Sequence, residues 1–321
     1  MANVFMLRSA NFLQFDSDDL TDSSGGGSTT YPSGSPSIQG GAYPISDGDY
    51  LYAQSTGTDV AWKFEYATRT YSRVTTTDRP VMCADDGLGN IWVACDAAAS
   101  GAARVERIDK SSWTITRTVN IQNNGVCLWV DPYLWVHSKS TTGQFSVYDP
   151  VTDTIVDTFT YQAGTSSPAH AALHDGFVYA ASNVGTLYKI NATTGVVADT
   201  LSIDSVTRLL GLGDYVYTLS SETVGGISYS RLRKIDVASL SIDSTLEVSG
   251  TTSGVGFTSN GLDVLYATLT QNNTLRRIDA DTLTVTHTAT SLGSLGQLVY
   301  DVPYVPPTPG AAGWVVGSVG W

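Results

Sequence analysis

The sequence predicts an all-β fold, a seven-bladed β-propeller of four-stranded blades, closed by a C-terminal strand pairing with N-terminal strands. Three observations predict it. A unit of about 40–50 residues recurs seven times. Hydrophobic residues alternate with period 2, and no helical period lasts more than a turn. One copy of the unit is split between the two ends of the chain, and its halves complete each other.

Each unit holds two pieces. The first is a short apolar strand ending in an aromatic-plus-small pair: Tyr50-Leu51-Tyr52-Ala53, Ile91-Trp92-Val93-Ala94, Leu134-Trp135-Val136-His137, Phe177-Val178-Tyr179-Ala180, Tyr215-Val216-Tyr217-Thr218 and Val264-Leu265-Tyr266-Ala267. The second has the form apolar-x-x-apolar-Asp, followed by a polar turn and a Thr-rich strand. It ends at Tyr66, Asp109, Asp149, Asn191, Asp236 and Asp279, and Phe12 to Asp16 supplies a seventh copy. In one unit the four strands are expected at Val206–Leu210, Tyr215–Thr218, Leu232–Ile235 and Ser241–Leu246. Four such antiparallel strands, repeated radially, make a propeller blade.

The split unit places a second strand at Val4–Leu7, a third at Phe12–Phe15 and a short fourth near Leu20. Its first strand comes from Leu295–Tyr300. The propeller is therefore assigned to residues 1–302, with a Gly/Ser/Pro-rich insertion at 21–42. Residues 303–321 form a Pro-rich exit and an apolar tail. Its Trp314, Val315, Val316 and Trp321 are expected to make an assembly contact.

Composition narrows the function classes. The chain has 321 residues, of which 42% are hydrophobic, ample for a large core. No run of 18 apolar residues occurs, so membrane insertion by a helix is not expected. The first residues lack a basic region before an apolar one, so no signal peptide is expected. A net charge of −13 opposes binding to phosphate backbones, which excludes nucleic acid as a favoured partner. Cys83, Cys95 and Cys127 are too few for a disulfide framework and read as small buried hydrophobes, with a Cys83–Cys95 bridge left open.

The repeated acid looks like a site, but its copies point in different directions around a ring and cannot converge on one substrate. Each precedes a polar residue three places on (Asp19, Ser112, Thr152, Thr194, Ser239, Thr282), which is how Asp and Asn head a turn. The second-strand aromatics Tyr52, Trp92, Trp135, Tyr179, Tyr217 and Tyr266, with Phe5, are expected to pack between blades. Of the four histidines, His137 and His170 are the candidate metal or ligand contacts, since both can approach one face near the channel. His174 is expected on the turn after the strand of His170, without zinc-ligand geometry. Paired carboxylates such as Asp18-Asp19 and Asp85-Asp86 fall in turn-like contexts. No catalytic residue and no cofactor is expected.

The stretch Gly89-Asn90-Ile91-Trp92-Val93-Ala94…Val105-Glu106-Arg107-Ile108-Asp109 resembles the YVTN, NHL and streptogramin-lyase-like propeller repeats, as does Gly185 through Gly195. The resemblance implies a fold and not an activity. Lyases of that group use a histidine-and-glutamate metal site in late blades, where this chain offers His287 alone.

The functional expectation is a non-enzymatic component of a bacteriophage virion, a tail or capsid accessory propeller assembled in the host cytoplasm. Ser/Thr/Gly-rich strands, five lysines, an acidic balance and the Gly/Trp tail point to it. The tail would bind other virion proteins. A host-surface glycan would bind the connections after the second strands: Asp96–Ala103, Ser138–Gly143, Ser182–Gly185, Leu219–Ser230 and Thr268–Asn273. The alternative is a metal-dependent enzyme of the lyase or lactonase type.

Overall fold

The computed structural model describes residues 3–7, 11–20, 29–30, 44–55, 59–68, 70–96, 103–121, 126–137, 143–162, 168–182, 185–204, 206–224, 227–249, 254–269, 274–290, 292 and 297–300. Their strands pair into seven four-stranded antiparallel sheets. The tail at 303–321, with Trp314, Val315, Val316 and Trp321, lies outside the described residues, as does most of the insertion at 21–42.

Sheet I contains β1 (Asn3–Leu7), β2 (Asn11–Asp16) and β3 (Thr29–Thr30). Sheet II holds β4 (Ile45–Ser46), β5 (Tyr50–Ser55), β6 (Val60–Glu65) and β7 (Tyr71–Thr75). In sheet III are β8 (Arg79–Asp85), β9 (Asn90–Asp96), β10 (Arg104–Asp109) and β11 (Thr114–Val119). Sheet IV runs β12 (Cys127–Val130), β13 (Tyr133–His137), β14 (Gly143–Asp149) and β15 (Thr154–Gln162). Sheet V runs β16 (Pro168–His174), β17 (Phe177–Ser182), β18 (Thr186–Asn191) and β19 (Val197–Ser202). Sheet VI has β20 (Val206–Leu212), β21 (Tyr215–Val224), β22 (Ile227–Asp236) and β23 (Ser241–Ser249). Sheet VII has β24 (Gly254–Ser259), β25 (Val264–Leu269), β26 (Thr274–Asp279) and β27 (Val285–Ala289). The last strand, β28 (Gln297–Tyr300), returns to sheet I and pairs antiparallel with β1, Val4 opposite Tyr300.

The first strands make the inner ring. Contacts run β28 to β4 to β8 to β12 to β16 to β20 to β24 and back to β28, so the array closes. Because each sheet is an antiparallel meander, its first–second and third–fourth turns lie at one end of the ring. The second–third connections and the links between sheets lie at the other. The second strands are covered on both faces, which is why Ile91 through Cys95 is one continuous buried run. The fourth strands face solvent and alternate, as in β11, where exposed and half-buried residues take turns.

Two boundaries differ from the sequence reading. The fourth strand of sheet I is Thr29–Thr30, inside the Gly/Ser-rich insertion, pairing with Asn11 and Phe12. Leu20 instead lies in a turn with φ 59. The segment Leu219–Ser230, expected as a connection, is mostly strand: β21 and β22 stay paired out to Val224 and Ile227. The hairpin extends the two central strands of sheet VI, and its polar residues carry no apolar alternation to mark it in the sequence.

Aromatics and cations seal the junctions between sheets. Phe5 stacks on Tyr66 at 4.7 Å and Tyr52 on Trp113 at 5.6 Å. Trp92 meets Tyr148 edge-on at 5.7 Å. The hydroxyl of Tyr217 donates to the Ala280 carbonyl at 2.8 Å, and that of Tyr266 to the Ser17 carbonyl at 2.9 Å. Cations reach onto the same turns: Lys63 to the Lys110 carbonyl at 2.5 Å, Arg117 to Pro150 at 2.7 Å, Lys189 to Val237 at 2.5 Å, Lys234 to Asp281 at 2.8 Å and Arg277 to Ser17 at 3.1 Å. Between sheets IV and V, Phe159 fills the place that a Cβ on Gly195 would take. Each second-strand aromatic is at most 3% exposed; Phe5, Tyr52, Trp92, Tyr217 and Tyr266 pack between sheets as expected, while the ring contacts of Trp135 and Tyr179 are with Phe145, Phe159 and His174 of their own sheets.

Candidate functional site

The recurring acid is the first candidate, and its local chemistry is used up in the turn. Asp109 Oδ1 accepts from the Ser112 backbone N–H at 2.7 Å and from its hydroxyl at 2.9 Å. Asp236 takes Ser239 in the same way at 2.7 Å twice, and Asp279 takes Thr282 at 2.8 Å twice. Asn191 Oδ1 accepts from Thr193, Thr194 and the Thr194 hydroxyl. Donors aimed at a carboxylate favour its charged form. The Ser111 hydroxyl, then the Ser112 N–H, hold Asp109 down at about 2. The backbone N–H groups of Val151, Ser239 and Thr282 lower Asp149, Asp236 and Asp279.

Four residues after the acid the backbone turns left-handed: Leu20 (φ 59), Trp113 (φ 51), Asp153 (φ 60), Gly195 (φ 67), Leu240 (φ 46) and Leu283 (φ 53). Only Gly takes that conformation without cost, yet Leu20, Trp113, Leu240 and Leu283 are at most 7% exposed. Their side chains drop into the gap between sheets, where burial offsets the strain. The turn is thus a latch, and the chemistry of its carboxylate is spent on shape.

The sequence frame is corrected in sheet II. The register pairs Tyr50 with Glu65, so Glu65, not Tyr66, holds the acid position. The Thr68 hydroxyl donates to Glu65 at 2.6 Å, reproducing the three-residue spacing. Tyr66 is the next residue and receives Phe5. A signal for this was present: a cation stands two residues before the acid in Lys63-Phe64-Glu65, Arg107-Ile108-Asp109, Lys189-Ile190-Asn191, Lys234-Ile235-Asp236 and Arg277-Ile278-Asp279. That cation is opposite the second-strand aromatic and supplies four of the junction contacts above.

The paired acids are turn residues too. Asp86 accepts from the backbone N–H groups of Leu88 and Asn90 at 2.7 and 3.0 Å, and from the Asn90 amide at 2.8 Å. Asp85 pairs with Lys110 at 2.5 Å, and Lys110 also reaches Asp47 at 3.1 Å. Asp18 and Asp19 are exposed in the turn after β2.

The structure encloses both candidate histidines. His137 is fully buried, its Nε2 2.9 Å from the Tyr161 hydroxyl and its ring edge-on to Phe145 at 5.2 Å. Burial alone pushes it down to about 3. His170 is 3% exposed; burial, then the nearby Arg208 cation, push it well below the usual range. Both are neutral at ordinary pH. His174 is on the same strand as His170, as the last residue of β16, and not in the turn after it. Its ring reaches the Gly213 carbonyl at 2.8 Å and lies where a Cβ on Gly211 would go.

Glu106 was not singled out in the sequence, yet it is fully buried. It accepts from the backbone N–H of Thr77 at 3.1 Å and from the Thr77 hydroxyl at 2.5 Å. The three cysteines are free thiols, all buried. A bulge sets Cys95 opposite Pro80 and leaves Cys83 opposite Val93, so no Cys83–Cys95 bridge forms. Among the described residues no group of three His, Cys, Asp or Glu side chains is placed to hold a metal ion. The arrangement at the described ends of the strands is one for holding sheets together. The connections Asp96–Ala103, Ser138–Gly143, Ser182–Gly185 and Thr268–Asn273 fall largely outside the described residues.

No family model matches the sequence, and no curated protein does. Solved structures do match the fold. A chain of the Kuenenia stuttgartiensis hydrazine synthase aligns with a TM-score of 0.61 at 14% identity, over 75% of this chain and 77% of that one. A chain of a mitotic checkpoint complex aligns with a TM-score of 0.63 at 12% identity, over 78% of this chain and 77% of that one. At such identities the likeness reaches the fold alone. With the closed ring of sheets it makes this chain an all-β propeller of four-stranded antiparallel blades.

Proposed function

We propose that the protein is a non-enzymatic structural or recognition propeller of a bacteriophage virion, with seven blades of the YVTN/NHL-like kind. The observation that carries the non-enzymatic part is the state of the reactive groups. His137 and His170 are sealed from solvent and neutral, and the recurring carboxylates are saturated by their own turns. A propeller with tight, repeated turns at one end leaves the other end as its variable surface, the usual place for a ligand on such a ring. A host-surface glycan is the ligand class that fits a chain with net charge −13 and Ser/Thr-rich connections. The apolar tail with Trp314, Val315, Val316 and Trp321 is the element for docking on other virion proteins.

The test is to separate the source culture on a density gradient and search the fractions by mass spectrometry. Stoichiometric peptides in the particle band support the virion reading. Peptides confined to soluble fractions overturn it and direct attention to ligand and metal screens.

A further inference from the structure

In sheets III and VI the third-strand residue three places before the turn acid anchors the connection from the preceding sheet. Glu106, three before Asp109, takes the N–H and the hydroxyl of Thr77, which lies between sheets II and III. Arg233, three before Asp236, pairs with Asp204, which lies between sheets V and VI, and reaches the Ser220 hydroxyl at 3.1 Å. Its neighbour Arg231 holds Asp204 at 3.1 Å and Glu247 at 2.8 Å. In sheet VII the same position is Arg276, three before Asp279. Arg277 beside it reaches Ser17 in the turn after β2, so Arg276, on the other face of the unbroken β25–β26 ladder, looks back toward sheet VI. Thr274, the first residue of β26, shares that face.

Among the described residues no acid is placed to do for Arg276 what Asp204 does for Arg233. The residues between β23 and β24, 250–253, are Gly, Thr, Thr and Ser, and no acid occurs between Glu247 and Asp263 or between Asp263 and Asp279. Asp263, Asp279 and Asp281 all sit at the tight-turn end, where Asn260, Thr282 and Lys234 hold them. From sheet VI the gap receives Leu219, Leu232 and Leu246, which pack with Ala267. Glu247 stands opposite Arg231 and is paired with it. Arg276 is half-buried, its Nε is enclosed without a hydrogen-bond partner, and burial alone pushes its guanidinium below the ordinary range. The Thr274 hydroxyl is enclosed without a partner too, in a residue 5% exposed. A cation partly removed from water beside an orphaned hydroxyl is costly until an anion completes it.

We infer that Arg276 and Thr274 form a binding site for a carboxylate at the VI–VII junction, at the end of the ring opposite the tight turns, which makes the glycan of the proposed function an acidic one. The two residues stand two apart on one strand face, about 7 Å along the chain. A carboxylate bonded at about 2.8 Å on each oxygen spans such a gap, one oxygen accepting from the guanidinium and the other from the hydroxyl. One cation and one hydroxyl match a group of unit charge. A phosphate monoester carries about −1.5 to −2 and would meet a chain of net charge −13. That the carboxylate belongs to a sugar rests on the glycan reading above; the site itself does not.

The experiment follows arginine Nε–H resonances of the full chain, labelled with nitrogen-15 at arginine, during titration with glucuronate, acetate, methyl phosphate and glucose at constant ionic strength. Loss of one resonance in Arg276→Gln assigns the signal. The expected result is a saturable shift of that resonance with glucuronate, at concentrations on the order of millimolar, and none with glucose. Thr274→Val should weaken the binding at least about three-fold, and both variants should fold, since each removes an unsatisfied polar atom. No saturable shift with either carboxylate, or equal shifts across the other arginine resonances, overturns the site. A larger response to methyl phosphate than to glucuronate overturns the carboxylate assignment. Acetate matching glucuronate supports the site and overturns the acidic sugar alone.

Discussion

Arg277 Nε donates to the carbonyl oxygen of Ser17 at 3.1 Å across a sequence separation of 260 residues, and the Tyr266 hydroxyl shares that oxygen at 2.9 Å. The last complete sheet is thereby fixed to the turn that follows β2, and the ring closes through side chains as well as through the β1–β28 ladder. Removing one of two donors leaves the carbonyl satisfied. Tyr266→Phe should therefore cost about 1 kcal/mol, while adding Arg277→Leu orphans a buried acceptor and raises the total to about 2–3 kcal/mol. Urea unfolding of both variants checks this, and equal stabilities would remove the shared carbonyl from the account of closure.

Gly195 tests the turn from the other side. It has φ 67, and a Cβ there would strike the Phe159 ring. Gly195→Ala should destabilise by roughly 2–4 kcal/mol, the sum of a left-handed backbone and an overpacked gap. Adding Phe159→Ala should recover the clash but not the backbone strain. A double-mutant cycle measures the coupling, and additivity of the two changes would contradict the contact.

The turn carboxylates should make the fold acid-labile. Asp109 sits at about 2 in the fold against an ordinary 3.8, with the Ser111 hydroxyl and the Ser112 N–H as the main causes. A depressed carboxyl contributes stability that is full above its unfolded pKa and is lost as pH falls toward its folded one. Melting temperature should therefore drop between pH 4 and pH 2. In Asp109→Asn, which keeps an acceptor but cannot titrate, that drop should be smaller, as scanning calorimetry across this range would register.

The buried histidines act higher on the pH scale. His137 is held near 3 by burial and His170 well below its ordinary 6.5, so each takes up a proton on unfolding but not in the fold. The unfolded state binds more protons below about 6.5, and stability falls with pH from there downward. The loss of melting temperature between pH 7 and pH 5 should shrink in His137→Gln, measured against that variant's own value at pH 7. An unchanged pH slope would mean that His137 is protonated in the fold.

The thiols should be silent until the ring opens. Burial pushes Cys127 up to about 12 and raises Cys83 and Cys95 as well, while the Gln54 amide rests on the Cys83 sulfur. Since the thiolate is the reactive form, a thiol reagent at pH 8 should find none of the three in the native protein and all three in denaturant. Rapid modification of any one without denaturant would contradict its enclosure.

Much of this was readable in the residues because a repeat writes the same instruction several times. The aromatic of the second strand, the acid and the Ser or Thr three places on recur at fixed spacing, and each recurrence corrects noise in the others. The misreading of Tyr66 for Glu65 arose where that redundancy failed. A Glu in place of Asp hid the position, although Lys63 two residues earlier marked it. The strand at Thr29–Thr30 was hidden for a different reason. Two residues carry no period, and their pairing with Asn11 and Phe12 is set by the edge that β2 offers, not by their own pattern.

The repeat, the four-strand unit, the split between the chain ends and the role of the acid as a turn residue are all written in the residues, because they depend on local spacing and on hydrogen bonds within a few residues. Only the assembled ring sets which residues touch across sheets, that His137 and His170 are sealed and neutral, and that the exposed aliphatics among the described residues collect at the end where Tyr300 leaves the ring. Those properties depend on desolvation and packing among residues tens to hundreds of positions apart, which no short stretch of sequence encodes.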